Sequence, residues 1–223
     1  MAYSVAIDGP AGAGKSTIAK LIAKELGYIY VDTGAMYRAM AVYFTKNNVK
    51  PEDEAAINEA VKKVDIRIEY QNGEQQVILN GENVTGLLRT EETGNMASKT
   101  SKYKEVRSKL VELQRQLAKT TDVVMDGRDI GTTVLPDARV KIYLTASSEA
   151  RAKRRYDELT AKGESCDINA IKEDIETRDY QDMHREISPL RQAEDAVLLD
   201  TSDMNIEQVV SAMRDIINNA VGK

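Results

Sequence analysis

The sequence predicts an α/β fold in which a doubly wound sheet of five parallel strands carries helices on both faces. The first observation is a set of five short, mostly apolar runs with the length and composition of strands. These runs are residues 4–8, 28–32, 122–126, 139–144 and 196–199. The second observation is that segments with apolar residues at helical spacing lie between the runs, an alternation typical of a parallel sheet. Ligands of such sheets bind beyond the carboxyl ends of the strands.

The third observation is a glycine-rich motif between the first run and the first helix. Residues 9–16, Gly-Pro-Ala-Gly-Ala-Gly-Lys-Ser, match the phosphate-binding pattern G-x-x-x-x-G-K-[ST]. The backbone N–H groups can surround nucleotide phosphates, Lys15 can reach the β- and γ-phosphates, and Ser16 can bind Mg²⁺. A turn of small residues before an ordinary helix is the alternative. The predicted nucleotide-binding residues are Gly9, Pro10, Ala11, Gly12, Ala13, Gly14, Lys15, Ser16 and Thr17.

The helices of the first half of the chain follow from the same spacing and from their end signals. The helix after the motif is predicted to end at Gly27. The next begins at Asp32-Thr33-Gly34, at the end of the second strand, and is predicted to end near Asn47. Pro51 is predicted to open a further helix with three acidic residues in its first turn.

Between residues 64 and 85 the apolar period changes from helical to alternating. The turn sequences Asn72-Gly73 and Asn80-Gly81 divide this stretch, which predicts a small antiparallel meander. Because the meander interrupts a chain of alternating strands and helices, we interpret residues 64–100 as an inserted subdomain beside the core sheet. Helical material is expected to continue to about Ala118.

Polar side chains follow the third strand of the predicted parallel sheet, in the sequence Asp126-Gly127-Arg128-Asp129. Strand ends next to the phosphate motif face the ligand. Asp126 is therefore predicted to support Mg²⁺, directly or through water, and Arg128 to face the motif. A salt bridge within the turn is the structural alternative. Ser16 and Asp126 are thus the predicted metal-binding residues.

Two further groups of charged residues lie on the helices after the fourth strand. Arg151, Arg154 and Arg155 share one face of the first helix, and Arg178, Asp182 and Arg185 share one face of the second. The first pattern is also typical of a solvated face, and the second of an exposed ion-pair ladder worth only about 0.3–0.5 kcal/mol per pair. Their accumulation around one predicted site favours phosphoryl transfer to an anionic acceptor, because guanidinium groups and Mg²⁺ neutralise the charge without a strong general base.

The last third of the chain supplies the remaining elements. Ser147 is predicted to start the first of these two helices. A polar loop at residues 160–166 separates them, and the second is predicted to end near Glu186. Asn205, with Gln208 three residues later, is predicted to cap the final helix.

The composition excludes several classes of protein. The 223 residues carry a formal net charge of −5, which argues against a broad nucleic-acid-binding surface. The single cysteine, Cys166, excludes an intrachain disulfide framework, and with the single histidine, His184, it leaves no His/Cys metal cluster. No apolar run reaches membrane-spanning length and no signal-peptide pattern precedes the first strand. We therefore expect a cytoplasmic protein with one domain over residues 1–223.

Four sequence blocks resemble the bacterial-type cytidylate kinase family of P-loop nucleoside monophosphate kinases. They are Ile-Asp-Gly-Pro-Ala-Gly-Ala-Gly-Lys-Ser, Asp-Thr-Gly-Ala-Met-Tyr-Arg, Asp-Gly-Arg-Asp-Ile-Gly-Thr and Pro-Asp-Ala-Arg-Val-Lys-Ile-Tyr-Leu. The resemblance covers nearly the whole chain. It implies that the sheet is that of a P-loop kinase. It also places the meander in the insertion that binds the monophosphate and implies a short mobile lid at residues 151–166.

The resemblance also implies roles for single residues. The implied catalytic residues are Lys15, Arg128, Arg151, Arg154 and Arg155, of which the last three belong to the lid that closes over ATP. The implied ligands of the acceptor phosphate are Thr33, Tyr37, Arg38 and Arg128. Many relatives have serine where this chain has Thr33, and the hydroxyl is kept.

The remaining implied roles concern the nucleoside of the acceptor. Ser98, Arg107 and Asp129 match positions that contact the cytosine edge. Asp182 matches the residue that accepts from the ribose hydroxyls, and Arg178 and Arg185 complete the side of the site formed by Asp182. Cytosine chemistry suits this assignment, because its amino group needs an oxygen acceptor and its N3 and O2 atoms need donors. Uracil has a carbonyl in place of the amino group and would face a carboxylate.

The activity implied by the resemblance is transfer of the γ-phosphoryl group of Mg·ATP to CMP or dCMP, giving ADP and CDP or dCDP for pyrimidine nucleotide metabolism. The implied cofactor is Mg²⁺, and the partners are these small molecules rather than nucleic acid or membrane. We expect a monomer. The residues alone leave open a P-loop kinase for another small acceptor, such as UMP, AMP or shikimate. A nucleotide-binding switch is disfavoured because the sequence has no N-K-x-D motif, and an ATPase module would leave the acceptor-side arginines without a role.

Overall fold

The computed structural model of the protein describes residues 2–221, whose strands form two separate sheets. In chain order the strands are β1 (Ser4–Asp8), β2 (Ile29–Asp32), β3 (Ile66–Gln71), β4 (Glu74–Leu79), β5 (Glu82–Asn83), β6 (Val123–Gly127), β7 (Val140–Thr145) and β8 (Val197–Asp200). The helices are α1 (Lys15–Leu26), α2 (Thr33–Lys46), α3 (Glu54–Lys62), α4 (Glu91–Thr100), α5 (Lys104–Thr120), α6 (Ser148–Ala161), α7 (Ile168–His184) and α8 (Ile206–Val221). A 3₁₀ turn covers Thr85–Leu87 and a π-helical turn covers Ile130–Val134.

The core sheet has five parallel strands in the order β2-β6-β1-β7-β8, which confirms the predicted fold class. β1 lies at the centre, paired with β6 on one side and β7 on the other. The chain leaves β1 toward β2 on one side and later reaches β7 on the other. A crevice therefore opens beyond the carboxyl end of β1, where the glycine-rich motif begins.

Two apolar clusters cover the two faces of the core sheet. One contains Met36 and Phe44 of α2, and the other contains Ile22 of α1 and Met213 of α8. All four side chains are buried. Successive residues of β1 join opposite clusters, as expected for a strand that is covered on both faces. This packing holds the carboxyl end of β1 in the middle of the molecule.

The inserted strands form an antiparallel sheet in the order β3-β4-β5. Its first turn uses Asn72 and Gly73, with φ of 53° and 78°, and its second uses Asn80 and Gly81, with φ of 49° and 87°. Positive φ at both residues is the geometry of a two-residue hairpin turn, which explains the two Asn-Gly sequences. Val77 of β4 is buried in the cluster that contains α2, so the insertion packs against the core.

Several element ends differ from the prediction, and one is confirmed in detail. Pro51 does not open α3, because the carboxylate of Asp53 caps that helix by accepting the N–H of Ala56 at 3.0 Å. The loop after α6 starts later than predicted, since α6 continues to Ala161. The cap of α8 is confirmed: Asn205 and Gln208 exchange two backbone-to-side-chain hydrogen bonds of 2.9 Å. None of the helices within residues 2–221 combines the length and the apolar content of a membrane span.

Candidate active site

A cleft of about 1180 Å³ opens beyond the carboxyl ends of β1, β2 and β6. Residues 11–18 of the motif and α1 line one part, and side chains of α2, α4, α5 and α7 line the opposite part. Of the residues predicted to form the site, all except Gly9 and Pro10 line this cleft. The structure therefore brings the two predicted halves of the site into one continuous space.

The start of the motif is seated directly against β7. A Cβ atom at Gly9 would lie 1.9 Å from the backbone oxygen of Leu144, so only glycine fits there. Lys15 is buried, and its Nζ donates to the backbone oxygen of Pro10 at 2.6 Å. Burial, followed by the charge of Arg128, lowers the pKa of Lys15 below its ordinary value. A phosphate group at this amine would favour the charged form.

The predicted metal ligands, Ser16 and Asp126, are in direct contact. The hydroxyl of Ser16 donates to one carboxylate oxygen of Asp126 at 2.9 Å, and the hydroxyl of Tyr30 donates to the other at 2.8 Å. Burial raises the pKa of Asp126, and the nearby carboxylate of Asp32 adds to this effect. Sequence reasoning missed Tyr30, although its place on β2, two residues before Asp32, puts it on the same face of that strand.

Asp8, at the end of β1, is a second carboxylate that sequence reasoning did not assign to the site. Its two carboxylate oxygens accept the N–H groups of Ile130 and Gly131, both at 2.7 Å. These N–H groups belong to the first turn of the π-helical segment after β6. Burial raises the pKa of Asp8 to about 6, although both hydrogen bonds oppose the shift. Asp8 therefore ties the strand that leads into the motif to the segment that carries Asp129.

The carboxylate of Asp129 is held by two arginines from different helices. It forms a short, buried ion pair with Arg107 of α5, in which the side chains are 4% and 6% exposed. Arg185, just after α7, lies 3.7 Å from its other carboxylate oxygen. Arg107 also donates to the backbone oxygen of Ser101 at 3.1 Å, and its guanidinium lies 5.6 Å from the centre of the Tyr37 ring. The Nε atom of Arg107 and one Nη atom of Arg185 have no hydrogen-bond partner.

Asp182 of α7 links Arg185, which also contacts Asp129, to Arg128 in the segment after β6. It accepts from Nε of Arg128 at 2.8 Å and lies 3.5 Å from Arg185. The structural alternative for Arg128, a salt bridge within its own turn, is therefore wrong, because its ion pair is with Asp182 of α7. The guanidinium group of Arg128 therefore lines the same cleft as the glycine-rich motif and as Asp182.

A third group of side chains surrounds Asp32 at the end of β2. The carboxylate of Asp32 caps α2 by accepting the N–H of Ala35 at 2.9 Å, and it lies 2.8 Å from Arg89 and 4.0 Å from Arg38. Arg89 was missed by sequence reasoning, because nothing in its local pattern distinguishes it from a surface arginine. The hydroxyl of Thr33 donates to the backbone oxygen of Asp126 at 2.7 Å.

Ser98 and Arg178 are partly exposed residues of the cleft lining. The hydroxyl of Ser98 is 3.5 Å from the side-chain oxygen of Gln181, and Arg178 donates to the side-chain oxygen of Asn95 at 2.8 Å. Arg178 also pairs with Asp174 one turn earlier in α7. These contacts join α4 of the inserted region to α7.

The three arginines of α6 do not share one environment, in contrast to the expectation of a common lid face. Arg151 is buried, donating to the backbone oxygens of Ala11 and Ala146 and pairing with Asp179 at 2.6 Å. These contacts make it a support of the glycine-rich motif. Arg154 donates to the backbone and side-chain oxygens of Thr201. Arg155 is half-exposed and pairs only with Glu158 of its own helix. The spacing of the three arginines predicts that their side chains leave α6 on the same side, but it does not predict which groups they contact.

The wall beside the motif contains residues that the sequence did not reveal. Thr201 and residues 204–207 and 209 line the cleft where β8 turns into α8, next to Arg154. These residues include polar, charged and apolar side chains, and their spacing is that of a loop followed by a helix cap. No sequence pattern therefore distinguishes them from an ordinary loop.

Comparison with known proteins identifies relatives along almost the entire chain. A family model described as cytidylate kinase matches residues 5–219. The cytidylate kinase of Lactobacillus gasseri is 54% identical over 213 residues, which cover 96% of this chain and 93% of the relative. That of Caldicellulosiruptor bescii is 50% identical over 218 residues, which cover 98% and 96%. A solved shikimate kinase from Bacteroides thetaiotaomicron is similar with a TM-score of 0.51, at 12% identity over 97% of this chain and 98% of that one, and shows the fold alone.

Proposed function

Because this chain belongs to the cytidylate kinase family, we infer that it transfers the γ-phosphoryl group of ATP to CMP or dCMP, giving ADP and CDP or dCDP. It is a nucleoside monophosphate kinase. The observation that carries this function in the structure is the single cleft that runs from the glycine-rich motif to the Asp129–Arg107 pair. The family favours this acceptor over UMP, AMP or shikimate, and over a nucleotide-binding switch.

The donor half of the proposed site is the motif at residues 9–17. Its backbone N–H groups and Lys15 would hold the ATP phosphates. Mg²⁺ bound with ATP would offset phosphate charge and orient the γ-phosphoryl group. The hydroxyl of Ser16 and the carboxylate of Asp126 suit this ion, because Mg²⁺ prefers oxygen ligands and keeps several waters. Thr201 and residues 204–207 are the proposed neighbours of the nucleoside of ATP.

The acceptor phosphate is proposed to lie near Thr33, Tyr37, Arg38, Arg89 and Arg128. Support comes from unsatisfied donors: the Tyr37 hydroxyl and one Nη atom of Arg38 are buried without hydrogen-bond partners. Burial, partly opposed by Arg107, raises the pKa of Tyr37 to about 12, so its hydroxyl keeps its proton and can donate. An anionic oxygen placed between these groups would satisfy both donors.

The nucleoside of the acceptor is proposed to lie against Ser98, Arg107, Asp129, Arg178, Asp182 and Arg185. Asp129 would accept from the cytosine amino group, and the unpartnered Nε of Arg107 would donate to N3 or O2. The ion pair between them fixes a donor next to an acceptor, which is the pattern that the cytosine edge requires. Asp182 would accept from ribose hydroxyls.

The proposed chemistry depends on charge rather than on a base. The attacking atom is an oxygen of the acceptor phosphate, which needs no proton removed, and charge on the transferring group must be neutralised as the two anions approach. Lys15, Arg128 and Arg154 all line the cleft, and they are proposed to lie between the two phosphate sites. Residues 151–166 are proposed as the lid. In this lid the exposed Arg155 would leave Glu158 and turn toward the phosphates, while Arg151 supports the motif through the backbone oxygen of Ala11.

The protein is further proposed to act as a cytoplasmic monomer with small-molecule partners only, in agreement with its net charge of −5.

An acceptor assay tests the proposed function. ADP formation from Mg·ATP is measured with no acceptor and then with CMP, dCMP, UMP, AMP or shikimate. We expect ADP only when an acceptor is present, with CMP or dCMP used best. Hydrolysis without an acceptor, or equal use of UMP or AMP, would contradict the proposal.

A further inference from the structure

β2 is an edge strand of the core sheet, and its outward backbone groups need partners from elsewhere. Within residues 2–221, its strand neighbour is β6 alone. The N–H of Ile29 points toward β6, where it donates to the backbone oxygen of Asp122. Since backbone groups alternate in direction along a strand, those of Tyr30 and Asp32 face away from the sheet. Unpaired polar groups of this kind are costly when they are shielded from water.

Two side chains of the inserted sheet supply the missing partners. The side-chain amide of Gln75 accepts from the N–H of Asp32 at 2.9 Å and donates to the backbone oxygen of Asp32 at 3.2 Å. The hydroxyl of Tyr70 donates to the backbone oxygen of Tyr30 at 3.2 Å. Tyr70 and Gln75 are directly opposite each other in the β3–β4 ladder, so one face of the insertion caps the edge of β2. Gln75 reproduces with one amide the two bonds of a neighbouring strand.

The residue clamped by Gln75 is the one that organises the acceptor-side arginines. The Asp32 carboxylate caps α2 through the N–H of Ala35 and lies 2.8 Å from Arg89 and 4.0 Å from Arg38. Both arginines line the cleft. The position of the Asp32 main chain therefore determines the position of its carboxylate. The carboxylate in turn determines where the guanidinium groups of Arg38 and Arg89 lie.

We propose that Gln75 is a positioning residue for the acceptor phosphate, acting through Asp32 on Arg38 and Arg89. The inserted sheet then contributes to the site through its hold on β2, although Gln75 itself lies outside the cleft lining. This inference rests on the proposed function, because it assigns Arg38 and Arg89 to the phosphate of the acceptor.

The test replaces Gln75 with methionine, which has similar length but neither donates nor accepts as an amide does. The matched control is Gln76→Met: Gln76 is the next residue of β4, points to the other face, and accepts from the side-chain nitrogen of Asn83 within the insertion at 3.2 Å. We expect Gln75→Met to raise the KM for CMP roughly three- to tenfold. A tenfold change corresponds to about 1.4 kcal/mol. The KM for ATP and the kcat should stay within about twofold of the parent, and Gln76→Met should leave all three unchanged.

A binding measurement that does not need turnover accompanies the kinetics. The upward shift in Tm caused by CMP should be smaller in Gln75→Met than in the parent and in Gln76→Met, whereas the shift caused by ATP should be equal in all three. The proposal is overturned if the KM for CMP stays within twofold of the parent, or if the KM values for CMP and ATP rise together. An equal effect of Gln76→Met would also overturn it. Failure of the proposed function has a different signature, because the parent itself would then show no CMP-dependent formation of ADP.

Discussion

Removal of the Asp129 carboxylate is expected to destabilise the whole fold as well as to weaken use of CMP. In Asp129→Ala, Arg107 stays in a site where its side chain is only 4% exposed, but it loses its ion-pair partner. Breaking a buried pair by removing one partner typically costs about 3–5 kcal/mol, because the remaining charge is left uncompensated. Arg107 keeps the Ser101 oxygen and the Tyr37 ring, so we expect a loss near the lower limit, about 3 kcal/mol. That is a large part of an ordinary stability of about 5–15 kcal/mol.

Urea unfolding at neutral pH measures this loss, and two further variants identify its cause. Arg107→Met combined with Asp129→Ala removes both charges of this pair, while Arg185 keeps Asp182 at 3.5 Å, so the double variant should recover much of the lost free energy of unfolding. Glu25→Ala removes the carboxylate from an exposed arginine pair with Arg214, at 3.0 Å, and should be hard to distinguish from the parent. A loss below about 1 kcal/mol in Asp129→Ala would refute the reasoning. A double variant no more stable than the single one would refute it as well.

The same variant tests the proposed reading of cytosine, provided that kinetics are measured where it is folded. We expect its use of CMP to weaken selectively while its KM for ATP is spared. An unchanged ratio of CMP to UMP use would mean that Asp129 does not read the base.

Two other predictions concern the donor side and the pH dependence of stability. Lys15→Ala removes the buried amine of the motif and should lower the kcat by about 100-fold or more, because a fixed charge at the transferring group is lost. The kcat is measured under saturating ATP, and a value within tenfold of the parent would contradict the role of Lys15. Burial raises the pKa of Asp8 to about 6 in the folded protein, against 3.8 for the ordinary group. The contribution of protonated Asp8 to stability is therefore fully present below pH 3.8 and is lost as the pH rises through 6. Between pH 5 and pH 7.5 the free energy of unfolding of the parent should therefore fall by roughly 1.4 kcal/mol relative to that of Asp8→Asn. Urea unfolding at a series of pH values measures this difference, and the same pH dependence in both proteins would disprove the prediction.

The parts of the fold that the sequence predicts are those decided by local pattern. The central strands β1 and β6 are visible because both faces of the sheet are covered there and their middle residues are continuously apolar. The Asn-Gly pairs identify the turns of the insertion, since their backbone needs positive φ. The glycine-rich motif is visible for a similar reason: Gly9 is required by the closeness of the Leu144 oxygen.

The parts that the sequence does not predict depend on partners distant in the chain. Arg151 and Arg155 have the same residue type and lie one turn apart, yet one is buried beneath the motif and the other pairs on the surface. The role of Asp8 depends on the N–H groups of the π-helical turn, and no pattern in residues 4–8 indicates them. Arg89 becomes part of the site only because the insertion places it beside Asp32. Such pairings come from tertiary packing, which single-residue patterns do not carry.

The two edges of the core sheet are protected to different degrees against association with other chains. At one edge the inserted sheet covers β2, so that edge offers few free backbone groups to an incoming strand. At the other edge β8 is only four residues long, but its Val197 and Leu198 are 46% and 55% exposed. Short length is itself a common defence of an edge strand. A charged substitution at Leu198, at the edge of the sheet opposite β2, should therefore improve resistance to aggregation without disturbing the insertion.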